Sequence, residues 1–333
     1  MKVSGTRGGF PAVDDASDAR PSRRASVGCV IVTHSRLDLA RICAQSVLAE
    51  VEPQSTVVVV NRHADNHDEN FRWLQANVAT VAVNDSSKGY GANLNTGRRL
   101  LHNAPECREP DYCLLLNDDV ILESGAIASL ERCLSTHEDV AIASPSLRTP
   151  EGLPLPSRAR FPSVRGEIAE ILILPASIQR RLCDRYSQPP GSHPDVSSHA
   201  WPVGAVLLVR SSALSTVGGF DESFFLYSEE TDLAYRLRQA GWRFALCRTA
   251  VATHLGAQST GNDGFQRLLG LSRWRYIRKH WSLRQRGALV VALPFAYAWN
   301  TAYVVLRVVF EPNSLRPKMA LWRNQWRKRP LPV

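Results

Sequence analysis

The chain has 333 residues, 44% of them hydrophobic, with a formal net charge of +9. That length and apolar content can bury a full core, which excludes a disordered tail and allows one large α/β domain with appendages or two domains. The charge is uneven: residues 267 to 333 hold 14 Lys or Arg against one acid, Glu311, while the rest of the chain holds 26 basic and 30 acidic side chains. A block this basic implies an anionic partner, either nucleic acid or an acidic membrane surface.

Residues 1 to about 25 have no apolar leader segment and read as a loose polar arm. From Val27 the pattern alternates strand and helix: Val27 to Val32 then Leu37 to Leu48, Thr56 to Val60 then Asn70 to Ala76, Val78 to Val83 then Gly91 to Leu101, and Tyr112 to Leu116 then Gly125 to Leu134. A strand at Val140 to Ala143 follows. Apolar strands separated by helices predict a mostly parallel sheet covered on both faces, an architecture of the nucleotide-binding type. Thr149 to Pro202 is rich in Pro, Ser and Arg, with one helix around Gly166 to Leu174, and reads as an insertion or substrate loop. A strand at Gly204 to Val209 resumes the core. The seven cysteines include no CxxC pair and read as reduced thiols of a cytosolic protein.

Two acidic elements carry the chemistry. The strand ending at Leu116 runs directly into Asn117-Asp118-Asp119. Carboxylates at the carboxyl edge of a strand sit where open α/β sheets bind ligands, and oxygen-only ligands suit Mg²⁺ or Mn²⁺ holding a diphosphate. The bland alternative is a polar turn before a helix capped by Ser124. The second element is Gly218 to Trp242, in which Glu229, Glu230 and Asp232 open an amphipathic helix whose apolar face is Leu233, Leu237 and Ala240. Acids there complement the helix dipole, so a well-capped surface helix is again the bland alternative. Lys88 to Gly97 has glycines at a loop-to-helix junction but no GxGxxG after the first strand, which argues against a dinucleotide-binding domain.

Near the end, Gly287 to Leu306 has no charge, with Arg284, Arg286 and Arg307 at its edges and Trp281 and Trp299 close by. Basic residues and Trp beside an apolar helix form a membrane-interface pattern, which favours an anionic membrane surface over nucleic acid. Pro294, Asn300 and Thr301 favour a helix lying in the interface over a spanning one; packing on the main domain stays open. No helix-turn-helix, RRM or zinc motif accompanies the basic block.

Together and in this order, these pieces resemble the inverting nucleotide-sugar glycosyltransferases of family 2, with the GT-A fold, and among them the bacterial rhamnosyltransferase-like and galactofuranosyltransferase-like branch. The resemblance runs from about residue 26 to 282 and is carried by Val30 to Arg36, Lys88 to Gly97, Leu116 to Val120, Gly204 to Arg210, Gly218 to Glu222, Glu229 to Leu233 and Thr253 to Thr260. It implies donor-binding roles for Thr33, Arg36, Asn61, Lys88, Gly89, Asn95, Asn117 and Asp118, and a divalent Mn²⁺ or Mg²⁺ on Asp119 and His254. It implies an acceptor side around Trp201, Gly204 and Asp221. The base falls on Glu230, with Glu229 as the alternative and Asp232 as a third acid of the motif. Three positions depart from the family pattern: Glu230 stands where Asp is usual, Asn61-Arg62 stands where Asp-Asn is usual, and Asn117 replaces the first Asp of the metal motif.

The sequence therefore predicts a polar arm (1–25), a GT-A glycosyltransferase domain (26–282, with a variable insertion at 149–202) and a basic, apolar C-terminal helical region (283–333). The expected reaction moves a sugar from dTDP-rhamnose or a UDP-sugar to a glycan or polyprenyl-linked acceptor. The expected location is peripheral, on the cytoplasmic face of the plasma membrane. A homodimer stays open, no nucleic-acid partner is expected, and a catalytically silent sugar-nucleotide or glycan-binding module is the rival reading.

Overall fold

The computed structural model describes residues 26–62, 65–102, 109–174, 178, 186–187, 195–256 and 263–310. The polar arm, Cys107, Cys183, residues 257–260 and the basic stretch beyond 310 lie outside the described residues.

The alternation forms as β1 (Val27–Thr33), α1 (Leu37–Leu48), β2 (Thr56–Val60), α2 (Glu69–Asn77), β3 (Thr80–Val83), α3 (Tyr90–His102), β4 (Tyr112–Asn117), β5 (Val120–Leu122), α4 (Ala126–Thr136) and β6 (Val140–Arg148). β1 and β2 are buried at every position, as strands covered on both faces must be. Asp68 starts α2 by accepting hydrogen bonds from the N–H groups of Asn70 and Phe71. Gly97 lets α3 pack down on β1, because any side chain at that position would run into Val30. Ser124 does not cap α4; Gly125 does, in a left-handed conformation with φ 78°.

The insertion is more structured than its composition suggests. β7 (Pro154–Leu155) pairs with β6, and β8 (Arg158–Arg160), β9 (Tyr186–Ser187) and β11 (Ala200–Pro202) make a small separate sheet. Between them lie α5 (Val164–Ile171), whose Ser163 cap accepts from Gly166 N–H, and β10 (Asp195–Ser197). The chain closes with β12 (Val206–Arg210), α6 (Ser211–Thr216), α7 (Glu229–Gln239), β13 (Arg243–His254), α8 (Asp263–His280) and α9 (Leu283–Phe310).

Among the described residues, ten strands share one sheet, in the order β10-β13-β6-β12-β4-β1-β2-β3, with β5 and β7 on its margins. The main sheet keeps six strands, β1, β2, β3, β4, β6 and β13, running in one direction, with antiparallel strands set among them. β3, β2, β1 and β4 are parallel, but β12 is antiparallel to both β4 and β6 at the centre. A central strand buried on both faces reads as a continuous apolar run whichever way it points, so Val206 to Val209 gave no hint of direction. Direction matters here: the start of β12, with Gly204 just before it, lies at the same edge as the end of β4, where Asn117 N–H donates to the carbonyl of Ala205 at 3.1 Å.

α9 packs on α5 through one face. Leu289, Leu293, Ala296, Asn300 and Val304 are buried at helical spacing. Asn300 pins it: its Oδ1 accepts from Ile173 N–H at 2.7 Å and its Nδ2 donates to the Ile171 carbonyl at 2.8 Å. The other face is apolar and exposed, with Val290, Val291, Phe295, Trp299, Val305 and Leu306. Leu283–Leu306 is long and apolar enough to cross a membrane by length and composition.

Candidate active site

The carboxyl ends of β1 and β4 carry the first half of the site. Thr33, the last residue of β1, donates its hydroxyl to Asp118 Oδ2 at 2.6 Å. Burial pushes the Asp118 carboxyl up to about 6, against the lowering pull of that hydrogen bond. Arg36 is exposed and near enough for its charge to favour the Asp118 carboxylate. Asp119 follows, and here the tertiary fold does what the sequence could only suggest. β13 runs antiparallel to β5 with His254 opposite Val120, and the Leu255 N–H donates to the Asp119 carbonyl at 2.8 Å. This ladder brings His254 Nε2 to 3.2 Å from Asp119 Oδ1.

Asp119 Oδ1 is buried and makes no hydrogen bond. A buried carboxylate oxygen without a donor, beside an imidazole nitrogen, is a pair of lone-pair groups suited to a divalent cation. The two residues fit Mn²⁺ or Mg²⁺ as a partial set, since such ions fill their remaining positions with substrate phosphate oxygens and water. Among the described residues no group of three or more His, Cys, Asp or Glu side chains gathers as a metal cage.

The second half is the start of α7. Tyr227 and Ser228, the two residues before it, are both left-handed, at φ 69° and 64°. Each such non-glycine residue costs on the order of 1–2 kcal/mol, and strain of this kind collects at functional sites. The Ser228 side chain makes no cap hydrogen bond, and the first turn is closed by the Asp232 N–H, which donates to the Ser228 carbonyl at 2.8 Å. Glu229 is buried, its Oε2 makes no hydrogen bond, and burial together with the neighbouring Glu230 charge pushes its carboxyl well above the usual range. Glu230 is half-buried and lies against Gly204, where an added Cβ would sit 3.2 Å from Glu230 Cγ. Gly204 thus lies against Glu230, while the next residue, Ala205, accepts from Asn117 N–H at the end of β4.

Several residues expected in the site are committed elsewhere. Asp232 is fully buried. Arg236 Nε reaches its Oδ2 at 2.7 Å, while Lys279 Nζ at 2.6 Å and His280 Nε2 at 2.7 Å reach its Oδ1. Burial alone would raise this carboxyl, but the hydrogen bonds from His280 and Lys279 and the Arg236 charge override it and hold it below the ordinary range. An anion held by three donors ties α7 to α8, and these are the partners the structure gives Asp232. Asp221 belongs to the same tie through Lys279 Nζ at 2.6 Å.

Asn61 and Asn95 spend their carboxamides on neighbouring backbone groups. Asn61 Oδ1 accepts from Lys88 N–H at 2.8 Å and its Nδ2 donates to the Lys88 carbonyl at 2.8 Å, fixing the loop whose exposed Lys88 side chain faces outward. Asn95 does the same for Phe220, accepting from its N–H at 3.0 Å and donating to its carbonyl at 2.9 Å. Gly89 is required for loop-to-loop packing: a Cβ there would lie 2.5 Å from the Phe224 carbonyl oxygen. Trp201 is buried in β11, with an indole N–H that makes no hydrogen bond. Asn117 ends β4, and its carbonyl accepts from the Cys43 thiol at 3.4 Å. The sequence gave Tyr90 no role, yet its hydroxyl is buried without a hydrogen bond in the neighbourhood of both acid pairs. Only its place between two glycines at the start of α3 could have drawn attention to it.

Residues 25–276 match the sequence profile of the glycosyltransferase-like family 2. The chain belongs to that family. This glycosyltransferase is 32% identical over 244 residues to an N-acetylglucosaminyl-diphospho-decaprenol L-rhamnosyltransferase of Mycobacterium tuberculosis, a match covering 72% of this chain and 78% of the relative. It is 25% identical over 228 residues to the rhamnosyltransferase WbbL of Escherichia coli K12, covering 64% and 77%. Solved glycosyltransferase structures share its fold, two of them as follows. The mannosyltransferase PcManGT from Pyrobaculum calidifontis, in complex with GDP-Man and Mn²⁺, superposes with a TM-score of 0.55 at 13% identity, covering 92% of this chain and 86% of that one. GalNAc-T7 with UDP, GalNAc and Mn²⁺ superposes with a TM-score of 0.56 at 12% identity; 79% of this chain is covered, and it spans about half, 49%, of that chain. The family 2 glycosyltransferase is thus an α/β protein of the GT-A fold and rhamnosyltransferase-like.

Proposed function

We propose that this enzyme is a metal-dependent, inverting transferase that moves rhamnose from dTDP-rhamnose, or a hexose from a UDP-sugar, onto a polyprenyl-diphosphate-linked glycan. The observation that carries the reading is that Gly204 and Ala205 touch both acidic elements: Gly204 lies against Glu230 at the start of α7, and Ala205 accepts from Asn117 N–H at the β4 edge that carries Asp119 beside His254. The relatives named as rhamnosyltransferases, one of them acting on a decaprenyl-diphosphate-linked sugar, support the choice of donor and acceptor.

Asp119 and His254 would hold Mn²⁺ or Mg²⁺, which supplies positive charge to the donor diphosphate as it leaves. Thr33 and Asp118 line the same edge and position the nucleotide. Glu230 takes the proton of the acceptor hydroxyl, whose oxygen then bonds to the anomeric carbon as the bond from that carbon to the diphosphate oxygen breaks. Attack from the face opposite the leaving group inverts the anomeric centre. Burial and the neighbouring Glu230 charge push the Glu229 carboxyl up, which disfavours two negative charges side by side on this turn.

A lipid-linked acceptor requires the enzyme to work at a membrane surface. The exposed apolar face of α9, with Arg284 and Arg286 at its start and the basic residues that follow it in sequence, suits peripheral attachment to the anionic cytoplasmic face of the plasma membrane. The deciding experiment incubates full-length protein with Mn²⁺, a polyprenyl-diphospho-N-acetylglucosamine and a panel of dTDP-, UDP- and GDP-sugars. Acceptor-dependent release of a nucleoside diphosphate is expected for one donor, with dTDP-rhamnose first. No release from any member of the panel would end the reading.

A further inference from the structure

Tyr90 is held in place by main-chain contacts before its side chain is considered. Its N–H donates to the Phe225 carbonyl at 2.8 Å, and Gly89 beside it packs so closely on Phe224 and Phe225 that no other residue fits there. The ring is half-buried against the apolar cluster on the α3 side of the sheet. The hydroxyl at its tip is shielded from solvent and makes no hydrogen bond. A tyrosine usually carries its polar end to a partner when it is buried, and a shielded hydroxyl without one destabilises the free protein. Nothing in the packing requires the oxygen, since Phe would fill the same space.

The main chain sets the residue beside both halves of the site: Phe225 lies in the loop that leads into Glu229 and Glu230, and Lys88, two residues before Tyr90, is bonded to Asn61, whose own N–H donates to the Thr33 carbonyl at the carboxyl end of β1. Burial, then Glu229, Glu230, Asp118 and Asp119 in that order, push the phenol well above its ordinary value. The hydroxyl therefore keeps its proton and remains a hydrogen-bond donor. In the reading given under "Proposed function", on which this step rests, the diphosphate belongs to the β4 edge and the attacking acceptor hydroxyl to Glu230. The part of the substrates that lies between them is the transferred sugar.

We propose that Tyr90 is a donor-sugar-binding residue, whose Oη donates a hydrogen bond to an oxygen of the sugar being transferred. The residue would thereby fix the sugar ring between the leaving diphosphate and the base. It would also help to select the donor, because a site with a committed hydrogen-bond donor discriminates against sugars that offer no acceptor at that point.

The test is Tyr90→Phe in the full-length protein, compared with wild type in three measurements: thermal unfolding, calorimetric affinity for dTDP and for dTDP-rhamnose with Mn²⁺, and kcat/KM for transfer. If another nucleotide and its sugar are the pair the wild type turns over, they replace the dTDP pair. The expected result is a Tm equal to or above wild type, affinity for the free nucleoside diphosphate within about twofold, and kcat/KM for the nucleotide-sugar lower by about tenfold, the size of one neutral hydrogen bond. Unchanged kcat/KM would overturn the assignment. So would a lowered Tm, which would make the hydroxyl structural, or an equal loss for the free nucleotide, which would place it on the diphosphate. A wild-type protein that binds and transfers nothing overturns the donor reading itself, whereas an active wild type with an indifferent Tyr90→Phe overturns this assignment alone.

Discussion

The carboxylate of Asp232 accepts a 2.7 Å hydrogen bond from Nε2 of His280. That contact ties the first turn of α7, which carries Glu229 and Glu230, to the last turn of α8, directly before α9 begins. The helix that presents the base is thus anchored to the elements that lead to the apolar outer face of α9.

This tie has a pH signature. The Asp232 carboxyl is held below its ordinary value of 3.8, and Asp221, where the Lys279 and Ser223 hydrogen bonds outweigh burial, falls to about 2. Depressed acids contribute stability that is present above the unfolded value, near pH 4, and lost as pH falls through the folded one. Thermal unfolding between pH 7 and pH 2 should therefore show a plateau down to about pH 4 and a decline toward pH 2. Lys279→Ala should lower the plateau and flatten the decline. An identical pH profile for wild type and Lys279→Ala would show that the tie contributes nothing.

At the metal corner, Asp119→Ala should abolish the Mn²⁺-dependent part of donor binding and leave the fold intact, because it removes the buried oxygen beside His254. Calorimetric titration of nucleotide-sugar with and without Mn²⁺ reads the difference. Donor affinity that still responds to Mn²⁺ in the variant would move the metal elsewhere.

For the base, Glu230→Gln should cut kcat by roughly 10²-fold or more with donor affinity nearly unaltered. Glu229→Gln should cost far less, since burial beside Glu230 favours the neutral form of Glu229, which an amide imitates. The reverse order of effects in steady-state kinetics would exchange the two roles.

Gly204 offers a test of distance alone. In Gly204→Ala the new methyl would stand 3.2 Å from Glu230 Cγ, tighter than ordinary contact, so the carboxylate must shift by a few tenths of an ångström. Misplacement of a reacting group is expensive, and kcat should fall about tenfold or more while Tm moves little. A fully active Gly204→Ala enzyme would separate Gly204 from the base.

On α9, Val291→Glu with Phe295→Glu changes only exposed positions and should release the protein from anionic vesicles without altering Tm. Asn300→Ala, which removes both contacts to the end of α5, should lower Tm. Wild-type protein that stays in the supernatant with phosphatidylserine-containing vesicles at low salt would sink the membrane proposal.

The sequence by itself determined the alternating α/β order, the burial of β1, β2 and β4, and the two acidic elements, because each is a local pattern: an apolar run, a helical period, acids at the end of a strand or the start of a helix. Asp118 and Asp119 were legible for that reason. What each acid does was decided only by partners far along the chain. His254 reaches Asp119 through the β5–β13 ladder, Asp232 is claimed by Lys279 and His280, and Asn61 and Asn95 spend their carboxamides on the Lys88 and Phe220 backbones. The antiparallel course of β12, which sets Gly204 against Glu230, left no trace in Val206 to Val209, since a strand buried on both faces carries the same apolar run in either direction. Tyr90 stood in plain view between two glycines, but that its hydroxyl lacks a partner is a property of everything packed around it. Periodicity records which face of an element is buried, whereas hydrogen-bond satisfaction depends on what the rest of the chain brings to that face.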